Sequence, residues 1–272
     1  MLRAIQFVLV AVVLLATCAI AQATHIPLLV DSNTGNVILD DNFEGQTLGY
    51  VPNSPGVPAP VGTWHTVYTN QSYAYGSSFV DVASPAAYGV AAYEGAQFVA
   101  VNRNPLGEGY SGSIQGPIGT GVAANSGTSD VITLTVAYYL FSGPGSAVYA
   151  HDGSGAVFGS ILLAGAGTIG VLDSTGTIWQ YLTQTGPTGA WNTLVVTHTN
   201  GTSDWTVSVN GQMPETRTGA SGSGKCWSGV SFCPGGDNTG AFFDAVPEPS
   251  TLALLAGGLI GLLCYAWRRK RK

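Results

Sequence analysis

The chain has 272 residues, a formal net charge of −6, and Gly or Pro at 52 positions, about 19% and below the roughly 25–30% that marks low-complexity chains. With aromatics at 10% it carries enough apolar surface to fold. Between Thr24 and Val246 three cations (Arg103, Arg217, Lys225) face fourteen acids, a net of −11. A surface so acidic and cation-poor repels phosphate backbones and excludes nucleic acid as an expected partner.

Residues 1–23 read as a secretory signal peptide. Arg3 gives the positive start, Ile5 to Ile20 is apolar apart from Gln6, Thr17 and Cys18, and Ala19-Ile20-Ala21 or Ala21-Gln22-Ala23 suits signal peptidase. A lipoprotein reading through Leu15-Ala16-Thr17-Cys18 is disfavoured because Thr17 is bulky for that site. Residues 24–245 are then an extracytoplasmic domain, long enough for one sizeable β fold.

No stretch between Asp31 and Asp244 sustains a 3.6-residue apolar period; alternation and turn residues dominate. Early strand candidates are Val37 to Asp40, Trp64 to Thr69, Ser78 to Val82 and Gln97 to Asn102. The clearest is Val131 to Phe141, with Ile132, Leu134, Val136, Tyr138 and Leu140 on one face. Ala147 to His151, Val157 to Ala164 and Thr168 to Leu172 follow, parted by Gly-rich breaks. Trp191 to Thr199 and Asp204 to Asn210 form a hairpin in which Asn200-Gly201 supplies left-handed turn residues, and Asn210-Gly211 turns again. Ala241 to Ala245 is the last. This pattern predicts an all-β antiparallel sandwich.

Cys226 and Cys233 are the only cysteines of the exported part, since Cys18 leaves with the signal peptide and Cys264 lies in the tail. In an oxidising compartment one disulfide between them is the simplest expectation, stabilising by roughly 2.5 kcal/mol in the chain-entropy model.

Residues 246–272 form a three-part tail. Pro247-Glu248-Pro249 is an extended, accessible segment, because neither proline continues a helix or donates to a sheet. Leu252 to Trp267 is uncharged and apolar, and its 16 residues would rise roughly 24 Å as a helix, short but workable against a core of about 30 Å. Arg268, Arg269, Lys270, Arg271 and Lys272 then hold that end on the cytoplasmic side.

The tail resembles the PEP-CTERM sorting signal of Gram-negative, polysaccharide-producing bacteria, on Val246-Pro247-Glu248-Pro249, the span 252–267 and the basic cluster 268–272. The resemblance implies recognition by an exosortase-type enzyme in the inner membrane, where the protein is held transiently. It further implies cleavage near Pro-Glu-Pro and delivery to the cell surface, outer membrane or extracellular matrix. Within the ectodomain, Asp41-Asn-Phe-Glu-Gly-Gln-Thr-Leu-Gly49, the hairpin from Trp191-Asn-Thr-Leu to Val209-Asn-Gly211, and Ala241 to Val246 resemble concanavalin A-like or laminin G-like jelly rolls. That resemblance implies first and last strands lying together.

Motifs for chemistry are sparse. Gly165-Ala-Gly-Thr-Ile-Gly170 has the GxGxxG letters, but strand continues after it where a phosphate site needs a helix, so it reads as a Gly-rich β loop. Glucanases similar to this fold carry Glu-x-Asp-x-x-Glu, which is missing; Glu44, Glu94, Glu108 and Glu215 are isolated, and there is no Gly-x-Ser-x-Gly elbow. The chain is therefore expected not to be an enzyme, with a secreted polysaccharide hydrolase on a jelly roll as the alternative. No metal ligand set or cofactor is expected, although calcium at His151-Asp152 stays open. Of the tryptophans, Trp191 and Trp205 read as core by alternation, and Trp227, inside the expected disulfide loop, is the candidate glycan platform. The expected role is structural or adhesive, with extracellular polysaccharide as the candidate partner.

Overall fold

The computed structural model describes residues 25–43, 49–50, 65–68, 80–83, 89–102, 112–115, 130–140, 145–173, 177–219, 225–234 and 240–248. The signal-peptide segment, Pro249, the apolar span 252–267 and the basic cluster lie outside them, as do Glu44, Glu108 and Trp64. All regular elements among the described residues are strands, and no helix there is long and apolar enough to cross a membrane.

The chain divides into two compact units. One, Pro27–Val246, is a β-sandwich. The other joins Met1–Ile26 with Pro247–Lys272. β1 (His25–Ile26) and β19 (Val246–Pro247) form a two-stranded sheet.

Counted over the described residues, the larger sheet of the sandwich has ten strands and the second seven. Its order is β16 (Glu215–Thr218), β15 (Asp204–Val209), β14 (Trp191–Thr199), β9 (Val131–Leu140), β18 (Gly240–Asp244), β7 (Phe98–Asn102), β6 (Val80–Ala83) and β4 (Gly49–Tyr50). β2 (Leu29–Asp31) shares one edge of β9 with β18, pairing Ile132 to Leu134 while β18 pairs Ala137 to Leu140, and β3 (Val37–Leu39) lies outside β2. First and last strands of the sandwich thus lie on the same strand, as the jelly-roll resemblance implied. The second sheet has seven strands in the order β13 (Trp179–Thr185), β12 (Thr168–Leu172), β11 (Val157–Leu163), β10 (Ser146–His151), β17 (Gly229–Pro234), β8 (Gly112–Gln115) and β5 (His65–Tyr68).

Alternation builds the core between the sheets. Ile132, Leu134, Val136, Tyr138 and Leu140 are buried, as expected, and Leu194, Val196, Trp205, Val207 and Val209 join them. Val148, Ala150, Val230 and Phe232 meet them from the seven-stranded sheet. A β-bulge sets two steps of β11 against one of β10, since Ala150 opposes Gly159 and His151 opposes Val157. The extra residue, Phe158, turns inward against His198 and Trp205.

The free edges β13 and β16 close on each other through side chains. Glu215 accepts from the Thr183 and Gln184 N–H groups, Arg217 donates to the Tyr181 carbonyl, and Gln184 donates to Val207 and Met213 carbonyls while accepting from the Val209 N–H. Backbone groups that would otherwise invite another strand are thereby occupied. Burial would raise the Glu215 carboxyl, but the Thr183 hydroxyl leads a set of donors that holds it down at about 2.

One turn differs in detail from the sequence reading. Asn210 and Gly211 are both left-handed (φ 52° and 68°), whereas in Asn200-Gly201 only Gly201 is (φ 80°). Asn200 is fully buried and its Oδ1 accepts the Trp227 N–H at 3.0 Å. Gly165 to Gly167 are the hairpin turn between β11 and β12, so the GxGxxG letters are a β loop.

Candidate functional site

The expected Cys226–Cys233 disulfide is not formed. A disulfide needs Cα atoms about 4.4–6.8 Å apart. Cys233 lies well along β17, opposite Ala147, while Cys226 precedes the strand, whose start at Gly229 opposes His151. The four strand steps from Gly229 to Cys233 alone span about 13 Å. Reading the segment as a loop was the error, because it is mostly strand.

Trp227 is likewise not a platform. It is 1% exposed, its ring meets Trp205 edge-on at 5.3 Å, and Nε1 donates to the Gly229 carbonyl at 2.8 Å. Trp205 is core as expected. Trp191 is not: it is half-buried on the outer face of the ten-stranded sheet.

That outer face carries an aromatic row. Cross-strand pairing sets Trp191 opposite Tyr139 and Tyr139 opposite Phe242, with centroids 5.7 Å apart in each pair. Phe98 adds a ring 4.5 Å from Phe242, and Tyr93 one 5.8 Å from Trp191. The segment 90–94 lies against this row, Val90 and Ala92 packing on it and the Ala91 carbonyl accepting the Trp191 Nε1–H at 2.7 Å. Asp244 fastens the same segment: its Oδ2 accepts the Tyr93 and Glu94 N–H groups at 2.8 and 3.0 Å, and its Oδ1 that of Ala245. Burial pushes the Asp244 carboxyl up to about 7 despite those donors. Phe98 and Phe242 are enclosed, whereas Tyr93, Tyr139 and Trp191 keep part of their rings at the surface.

A second polar cluster lies on the outer face of the seven-stranded sheet. His151 and Ser231 leave that sheet opposite to the core residues Ala150 and Val230, and both are almost fully buried. Register brings them together: His151 opposes Gly229 and Tyr149 opposes Ser231. His151 Nδ1 bonds to the Gly155 carbonyl at 2.8 Å and Nε2 to the Ser231 hydroxyl. Beside them the Asp152 carboxylate is ion-paired with Lys225 and accepts the Ser154 and Ala156 N–H groups and the Ser154 hydroxyl. Burial would raise its pKa, but Lys225 and these donors hold it at about 2. Asp152 is thus a turn-capping group, already engaged where the sequence left calcium open, and no group of three or more His, Cys, Asp or Glu residues among the described ones could hold a metal.

Of the expected sorting residues, Pro247 lies on β19 and is half-buried, and Glu248 is exposed. Burial falls away along Asp244 (0%), Val246 (9%), Pro247 and Glu248.

Comparison with known families places a PEP-CTERM protein-sorting motif at residues 245–271. The chain carries that signal, which implies an exported, membrane-passing protein processed by exosortase. No curated protein matches the chain in sequence. Among solved structures it is similar to a sialidase at 8% identity and TM-score 0.46, over 68% of this chain and 16% of that one. It is also similar to lectin II from Ulex europaeus (12%, TM-score 0.41, 70% and 95% of the two chains). An endo-β-1,4-glucuronan lyase from the fungus Trichoderma reesei gives 11% and 0.42, over 66% and 93%. The chain spans about a sixth of the sialidase and 42% of the botulinum neurotoxin DC binding-domain chain it also matches.

Proposed function

We propose that this is an exosortase-sorted structural or adhesive protein of the cell surface or extracellular matrix of a Gram-negative bacterium, in contact with neutral extracellular glycans. Residues 1–23 are its signal peptide, 24–245 its jelly-roll ectodomain, and 252–267 a transient inner-membrane helix held by the basic cluster 268–272. The aromatic row of Tyr93, Tyr139 and Trp191 carries the glycan reading, taking over the role the sequence gave to Trp227. With few cations, contacts to neutral sugars would be weak singly and effective when many copies are displayed.

The polysaccharide-hydrolase alternative draws no support from the described glutamates. Glu94 is 6% exposed, its backbone fastened to the enclosed Asp244, and Glu215 is committed to the edge closure. Neither flanks an open groove as paired carboxylates on a sugar require.

A glycan array probed with the full-length chain in detergent tests the proposal. Binding to neutral glycans, weakened by Trp191→Ala and by Tyr139→Ala, is expected. A folded wild-type chain that binds no glycan would refute the glycan contact. For sorting, mass spectrometry of surface-released protein should find a C-terminus near Pro247-Glu248-Pro249, and intact Lys272 throughout would count against processing.

A further inference from the structure

We propose that Ser231 and His151 form a nucleophile–base pair that cleaves neutral esters of small carboxylic acids, a site apart from the aromatic row and from the sorting motif. The hydrogen bonds fix the direction of the relay. A carbonyl oxygen can only accept, so the bond to Gly155 places the ring proton on Nδ1. In the neutral ring Nε2 then holds a lone pair, and the Ser231 hydroxyl must donate to it. This is the order that activates a serine: nucleophile to base, and base oriented by a third acceptor, here a main-chain carbonyl in place of a carboxylate.

The fold supports this arrangement from both sides. Ser231 sits inside the β10–β17 ladder, so its backbone is fixed by pairing on β17. His151 ends β10 at the bulge, a device often used to aim a side chain. The turn after it is held by Asp152, which caps the Ser154 and Ala156 N–H groups and so sets the Gly155 carbonyl under the imidazole. The Asp152–Lys225 pair thus acts as a positioning element for the Gly155 carbonyl.

The chemistry follows without a co-reactant other than water. Ser231 Oγ attacks the ester carbonyl carbon as its proton passes to His151 Nε2. The tetrahedral intermediate collapses, the C–O bond to the alcohol breaks, and His151 returns the proton to the departing oxygen, leaving an acyl-serine. Water then adds to the acyl carbon, gives its proton to Nε2, and the carboxylic acid departs as Ser231 regains a proton. Two observations define the substrate class. Ser231 is 3% and His151 4% exposed, so only a small acyl group reaches them. Among the described residues the adjacent cation is Lys225, and it is paired with Asp152, which favours a neutral substrate.

The full-length chain in detergent is tested with p-nitrophenyl acetate and with a fluorophosphonate, followed by peptide mapping. The expected result is a covalent adduct on the peptide holding Ser231 and measurable hydrolysis of the ester. Ser231→Ala should lower hydrolysis about 100-fold or more, and His151→Gln similarly. Mapping the adduct on the wild-type chain decides the matter even where a variant fails to fold. A folded wild-type chain with no adduct on Ser231, or with an unchanged rate in folded Ser231→Ala, would overturn the proposal and leave the pair a structural hydrogen bond.

Discussion

Trp227→Ala should cost the fold a large share of its stability. The side chain is 1% exposed, so truncation removes a large buried indole, and such changes cost about 3–5 kcal/mol with the cavity included. Two features push toward the upper end. The edge-on contact with Trp205 at 5.3 Å and 61° is worth about 0.5–1.5 kcal/mol, and loss of the Nε1–H strips the Gly229 carbonyl of a donor, about 1 kcal/mol more. Against total stabilities of roughly 5–15 kcal/mol, a loss of about 4 kcal/mol moves a urea midpoint by about 2 M at a slope near 2 kcal/mol/M. Urea unfolding of the full-length chain followed by intrinsic fluorescence measures it, and Trp227→Phe, which keeps a ring and loses the N–H, should cost clearly less. A loss below about 1 kcal/mol, coupled to loss of glycan binding, would show the indole to be at the surface and refute the packing argument.

Gly159→Ala should destabilise by about 1–3 kcal/mol in the same assay, because a Cβ there would lie 2.2 and 2.4 Å from Cζ2 and Cη2 of the enclosed Trp205. Reducing agent should leave the melting temperature unchanged, since no bond joins Cys226 to Cys233. His198 is fully buried with Nε2 unpartnered, and burial holds its pKa below 6.5. The unfolded chain therefore takes up the proton first, and stability should fall as pH drops below about 6.5, by up to about 1.4 kcal/mol per unit. Asp244 has the opposite sign: raised from 3.8 to about 7, its contribution is full below 3.8 and lost as pH climbs to about 7, so Asp244→Asn should flatten that limb in pH-dependent melting. A chain ending at Glu248 should keep the wild-type circular dichroism spectrum, and one ending at Thr239, which lacks β18, should not fold.

Legibility in the sequence followed the solvation of each strand. β9, β14 and β15 each have one enclosed face and one wetter one, and the resulting period of two made them plain. β13 and β16 were missed because polar residues stand on their less exposed faces: Gln184 and Glu215 are committed to main-chain groups across the edge. β17 was missed because two cysteines suggested a loop, and its outer positions are the small residues Gly229 and Ser231. Period also could not reveal that the outer face of β9 is itself covered near Ala137 and Tyr139. Trp191 and Tyr139 therefore belong to a second aromatic cluster, which depends on segment 90–94 returning from far away in sequence. Ser231 and His151 are 80 residues apart, and only the β10–β17 register joins them. A sequence-local motif search had no signal to find there.

The last strand of the sandwich is one that the fold cannot release. β18 is hydrogen-bonded on both sides, to β9 and β7, and Ala241, Phe242 and Phe243 are fully buried. Phe243 stacks on Phe232 of the opposite sheet at 4.1 Å, so β18 also ties the sheets together. Asp244 adds the clasp on segment 90–94, and Ala245 and Val246 after it are still buried. A membrane enzyme acting upstream of Val246 would have to extract a central strand, at a cost comparable to unfolding the domain. One acting beyond Pro247 meets a chain that is half-buried at Pro247 and exposed at Glu248. Processing beyond Val246 is therefore expected to leave β18 paired, and the circular dichroism spectrum of surface-released protein should match that of the full-length chain's strands.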